Sequence, residues 1–152
     1  MQPGQAINIL HLRNEEDAIP FWGTINHMSP DTYRTVLEDK YINLIDKYID
    51  KSSLTIILSM NTSNKVITFM QKQQYNYVFC DKNLVNGREE NAIIDLLNGT
   101  HCNNIYIGNV NLVTYHGSTF SYVLYKLLET KPGIKKILID LDHINVEEVI
   151  VS

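Results

Sequence analysis

Two short segments of this chain carry residues whose types and spacing suit phosphate chemistry. The first is His11-Leu12-Arg13-Asn14-Glu15-Glu16-Asp17, at the end of an apolar run that begins at Ile7. An arginine presents a planar fork that can grip two phosphate oxygens at once. His11 stands two residues before Arg13, so both side chains lie on one side if the strand stays regular. Together they could neutralise a departing diphosphate. A structural reading competes: Arg13 pairs with Glu15, Glu16 or Asp17 and closes the strand end. The second segment is His116-Gly117-Ser118-Thr119-Phe120-Ser121, which opens a helical pattern. Gly117 permits close backbone approach, and Ser118 and Thr119 add hydroxyl donors. The first amides of a helix have no intrahelical carbonyl to meet and point at whatever sits above them. Here the competing reading is ordinary N-capping by Ser118 or Thr119. The anion-binding reading of both segments depends on a fold that brings them to one crevice.

The remaining reactive residues fit no comparable template. Asp140-Leu141-Asp142 matches an acidic pattern of metal-dependent transferases and the start of a phosphohydrolase motif. Both need more chain downstream than remains, and two acids at a strand end is the simpler account. Cys80 with Asp81, and His101 with Cys102, fit neither a nucleophile nor a zinc arrangement. The two cysteines read as buried thiols, with one disulfide as the alternative. His27 and His143 read as loop residues. No bound metal is expected.

Composition narrows the partners. Over 152 residues, 44% are hydrophobic and 20% charged, which is a globular balance. The formal net charge of −4 argues against bulk attraction to nucleic acid or to an anionic membrane. Positive charge for an anionic ligand must therefore be local. No apolar run is long enough to span a bilayer. The opening Met1-Gln2-Pro3-Gly4 lacks the basic and apolar regions of a signal peptide, so the chain as it stands is expected in the cytoplasm.

The elements that must position the two segments alternate along the chain. Strands are expected at 7–13, 54–58, 75–79, 104–108 and 136–140. Each is short and mostly β-branched or aromatic, as in a parallel sheet covered on both faces. Ser29-Pro30-Asp31 reads as cap, first-turn proline and first-turn acid. Tyr33, Val36, Leu37, Tyr41, Leu44, Ile45, Tyr48 and Ile49 then mark one helical stripe. Further helices are expected over 64–73, from about Glu89 and from about Ser118. The pattern predicts one α/β domain over residues 1–152: a Rossmann-like three-layer fold around a parallel five-stranded sheet, followed by a short tail. The commonest layout sets strand one beside strand four, where the winding direction switches and ligands bind.

In this order and spacing, the segments resemble the donor-binding half of the fucosyltransferase superfamily that contains α-1,6- and protein O-fucosyltransferases. His11 to Asp17, continuing into Phe21-Trp22-Gly23, is similar to that family's first motif, closest to the plant-type HLRxExDM and AFxGC pattern. Ala92-Ile93-Ile94-Asp95-Leu96-Leu97 with Cys102 and Ile105-Tyr106-Ile107-Gly108 resembles the second. Gly117-Ser118-Thr119-Phe120-Ser121 resembles the third, and the likeness runs from about residue 7 to 128.

The resemblance implies half of a GT-B glycosyltransferase that binds a GDP-sugar, with GDP-fucose first among the donors. It implies metal-independent inverting transfer with no cofactor, and it suggests the secretory lumen. Arg13 would bind the β-phosphate with support from His11. Asp95 would accept hydrogen bonds from guanine or ribose. Gly117, Ser118, Thr119 and Phe120 would hold phosphate. The chain departs from the family in three places. Asn109 to His116 lengthens the step between the second and third motifs. Ser59-Met60-Asn61 stands where Ser-x-Asp is usual. Only one of the two halves is present, so the acceptor site would belong to a separate domain or subunit. The alternative is a non-catalytic module that binds nucleotide sugar or another protein.

Overall fold

The computed structural model describes residues 4–15, 17–59, 62–80 and 88–152. Glu16, Met60, Asn61 and Asp81 therefore lie outside the described residues.

The chain begins with β1 (Ile7–His11), whose five residues are all buried, as a strand covered on both faces requires. A short helix α1 (Ile19–Ile25) and a long helix α2 (Pro30–Tyr48) lead to β2 (Leu54–Leu58). The start of α2 follows from its residues: the Ser29 hydroxyl accepts the Thr32 amide, Pro30 takes the first position, and Asp31 adds a first-turn acid. Next come α3 (Lys65–Lys72), β3 (Tyr77–Phe79), α4 (Arg88–Gly99), β4 (Ile105–Gly108), α5 (Thr119–Leu128), β5 (Lys135–Leu138) and β6 (Val149–Val151). The Asn64 side chain caps α3 by accepting from Val66 and Ile67 amides at 2.9 and 3.1 Å.

The sheet order is β3-β2-β1-β4-β5-β6. Strands β1 to β5 run parallel, with Ile9 paired both to Ile56 of β2 and to Tyr106 of β4. Alternation along β1 divides the interior. Leu10 and Leu12 join a core with Ile19, Trp22, Leu37, Ile45 and Met70 from α1, α2 and α3. Ile7 and Ile9 join a second core with Leu124 and Leu128 of α5, against which Ile94 and Leu96 of α4 are packed. The result is a three-layer α/β/α arrangement, compatible with a Rossmann-like fold. Each fully buried aliphatic side chain contributes roughly 1.5–3 kcal/mol through removal from water.

Two features differ from the expectation. The sheet has six strands rather than five, because the tail returns as β6, antiparallel to β5 with Ile137 opposite Ile150. Residues 139–148 are too few for a crossover, so a β-branched run there can pair only by turning back. The helix α1 also occupies a stretch read only as a motif continuation. It is short, and Pro20 in its first turn obscures its pattern.

Candidate functional site

The switch in winding direction falls between β1 and β4, so the segments following His11 and Gly108 share the crevice at the carboxyl ends of these strands. Parallel strands part here, and side chains fill the gap in place of ladder hydrogen bonds. Asn109, fully buried, donates from Nδ2 to the His11 carbonyl at 2.9 Å. The Tyr41 hydroxyl, arriving from α2, accepts the Arg13 amide at 3.1 Å. Its hydrogen faces Asn109 Oδ1 at 2.7 Å and the His11 carbonyl at 3.0 Å. Burial pushes the Tyr41 phenol well above its ordinary range, although the hydrogen bonds with Arg13 and Asn109 oppose the shift. This hydroxyl is therefore a fixed neutral hydrogen-bonding group.

The network continues into α5. The Asn109 amide donates to Ser121 Oγ at 2.9 Å, and the Asn109 carbonyl accepts the Ser118 amide at 2.8 Å. Ser121 Oγ also lies 2.5 Å from His11 Nδ1. The His11 ring packs on Phe120, with centroids 4.7 Å apart at 51°. Ser118 caps the helix by accepting the Ser121 amide. Gly117 has φ of 115°, and a Cβ there would sit 2.6 Å from the Asn109 carbonyl oxygen. The close approach that requires glycine is thus to the chain's own backbone. Thr119 is exposed and Phe120 half-buried.

Arg13 takes a different course. The strand ends at His11, and the guanidinium lies over the Trp22 ring of α1 at 5.5 Å and 3.2 Å from Glu15. It therefore does not follow His11 toward α5, contrary to the regular-strand expectation. Arg13 is joined to the network through its backbone amide. The side chain remains 24% exposed, and its buried Nε has no hydrogen-bond partner among the described residues. Asn14 follows, donating to Glu38 of α2 at 3.2 Å. Glu38 is buried, and desolvation raises its carboxyl pKa. The Asn14 hydrogen bond and the charges of Arg34 and Lys65 pull the other way. Asp95 is half-buried midway along α4.

The long step from Asn109 to His116 folds as a hairpin closed by a Val110–Gly117 bridge. Asn111 caps its turn and donates to Asp140 at 2.9 Å, while His116 meets Asp142 at 3.0 Å. Asp140 also accepts the Asp142 amide and faces His143. These two acids thus hold their own turn and also anchor the 109–116 hairpin to the end of β5. Among the described residues no cluster of three or more His, Cys, Asp or Glu is disposed to hold a metal ion, and no helix is long and apolar enough to cross a membrane. Cys80 and Cys102 are both buried and are not joined to each other in a disulfide. Two surface depressions, of about 350 and 520 Å³, lie elsewhere: one along α2, the other between the end of α1 and residues 142–146.

The structure thus brings His11, Ser118 and Phe120 into one constellation, with Gly117 beside it and Arg13 at its rim. Sequence reasoning gave no site role to Tyr41, read as a stripe position, to Asn109, read as the start of a loop, or to Ser121, quoted only as the end of the second segment. The usable signals were a polar residue directly after a buried strand at the switch, and a second serine three positions into the helix. Comparison with family models, curated proteins and solved structures finds no match to this chain.

Proposed function

We propose that this chain is a nucleotide-sugar-binding domain, half of a GT-B glycosyltransferase, that holds a GDP-sugar by its diphosphate at the β1/β4 switch. GDP-fucose is the first candidate donor. The observation that carries the reading is the contact of His11 with Ser121 and Phe120. Two segments far apart in sequence, each resembling part of one donor site, meet where open α/β sheets bind ligands. The first-turn amides of α5 then supply donors to phosphate, aided by the positive end of the helix.

In the proposed transfer an acceptor hydroxyl attacks the anomeric carbon, and the bond to the β-phosphate oxygen breaks. Negative charge gathers on the departing GDP. Fixed donors stabilise that charge without reorganising. Arg13 joins by exchanging Glu15 for phosphate, a step allowed by its partly exposed guanidinium and by an Nε that has no partner among the described residues. Asp95 would meet guanine or ribose. The acceptor and its base come from a second domain or subunit.

The Arg13–Glu15 ion pair favours a second reading, in which the crevice binds nucleotide sugar but does not turn it over. Calorimetric titration with GDP, UDP and ADP tests both. The expected result is binding confined to GDP, weakened about 10- to 100-fold by Arg13→Ala, the range for losing charge-assisted hydrogen bonds. Failure to bind any nucleoside diphosphate removes both readings. GDP binding without donor hydrolysis or transfer, even with an acceptor half supplied, selects the second.

A further inference from the structure

The hydrogen count at Ser121 decides a question that distances alone leave open. Ser121 is 0% exposed, and its Oγ meets two groups, the Asn109 amide at 2.9 Å and His11 Nδ1 at 2.5 Å. The amide can only donate. A serine hydroxyl has one hydrogen of its own, and among the described residues the one acceptor meeting Ser121 Oγ is His11 Nδ1. If Nδ1 carried the ring hydrogen, two donors would converge on the oxygen, and the hydroxyl hydrogen would be stranded in the interior. A buried donor left without an acceptor is disfavoured over one that is paired, and that difference sets the preferred tautomer. The hydroxyl therefore donates to Nδ1, and the ring hydrogen resides on Nε2.

We infer that Ser121 is a positioning residue that locks neutral His11 as its Nε2–H tautomer, so that His11 serves as a hydrogen-bond donor and not as a proton acceptor. Phe120 fixes the ring plane from the same helical turn. Ser118 Oγ in turn holds the Ser121 amide, so helix cap and tautomer are coupled. The ligand side of this inference rests on the proposed function: phosphate oxygens are acceptors and suit a ring N–H.

The test is long-range proton–nitrogen NMR of the imidazoles in ligand-free protein, with the His11 signals assigned by their loss in His11→Gln. Calorimetry with GDP runs in parallel. Wild type is expected to show a protonated Nε2 and a bare Nδ1. Ser121→Thr should preserve that pattern. Ser121→Ala should give mixed tautomers and several-fold weaker GDP binding. A hydrogen on Nδ1 in the wild type overturns the inference, as does an unchanged pattern in Ser121→Ala. Should that variant not fold, the wild-type and Ser121→Thr spectra still decide. A wild type with the expected pattern that binds no GDP refutes the proposed ligand and leaves the tautomer lock standing.

Discussion

Replacing Tyr41 with phenylalanine removes one oxygen atom from the floor of the switch crevice, and the structure allows its cost to be worked out. Two groups lose their partner: the Arg13 amide and Asn109 Oδ1. The His11 carbonyl keeps its bond from Asn109 Nδ2. At about 1–3 kcal/mol for each of the two orphans, less about 1 kcal/mol regained because a phenol no longer has to be dehydrated, the loss comes to roughly 1–5 kcal/mol. Tyr33 supplies the control. It is also fully buried on α2, and its hydroxyl donates to the Leu141 carbonyl at 3.0 Å. That carbonyl retains a second donor, Asn26 Nδ2 at 2.8 Å, so Tyr33→Phe orphans nothing and should cost about 1 kcal/mol or less. Urea unfolding of both variants, read as midpoints at constant slope, gives the comparison. If Tyr41→Phe costs no more than Tyr33→Phe, the hydroxyl is not the hub described, and the crevice floor is held by packing alone.

Other substitutions probe other parts of the argument. Gly117→Ala combines a positive φ with a Cβ 2.6 Å from the Asn109 carbonyl oxygen, and should cost about 2–4 kcal/mol in the same assay. A loss under about 0.5 kcal/mol would mean that the hairpin shifts freely. Asn64→Ala removes the cap of α3 and should lower stability by about 1 kcal/mol, whereas Asn64→Ser should recover most of it. Glu38 gives a pH dependence. Its carboxyl pKa is raised on folding above the ordinary 4.5, so its contribution is fully present below 4.5 and is lost as pH climbs through the raised native value. Glu38→Gln should therefore gain stability relative to wild type as pH rises through that window. A difference that stays flat with pH would contradict the burial argument.

Much of the fold was legible because its signals are local. Ser29, Asn64 and Ser118 mark helix starts through hydrogen bonds within their own turns. The apolar runs mark strands, and their alternation with helices implies parallel pairing and a switch beside strand one. What escaped notice depends on pairing between distant residues. Tyr41 reads as another position on an apolar stripe, since periodicity registers its ring and not its hydroxyl. Asn109 reads as the start of a loop until β1 and β4 are seen to part beneath it. Arg13 sits two residues beyond the end of β1, where β-geometry no longer predicts direction, and Trp22 and Glu15 decide where its charge goes. The sixth strand escaped for a similar reason, because only its partner β5 makes Val149–Val151 a strand.

The side chains that bridge the parted strands have a consequence for any guest. Three segments, from α2, β1 and the residues after β4, are stitched together by uncharged groups before anything arrives. A visitor meets a base whose ordering cost was met during folding, and what is left to rearrange is confined to the movable rim, Arg13 and the exposed Thr119. Selectivity in such a cleft would come from which molecules can recruit that rim, while the stiff bottom only sets how deep they sit.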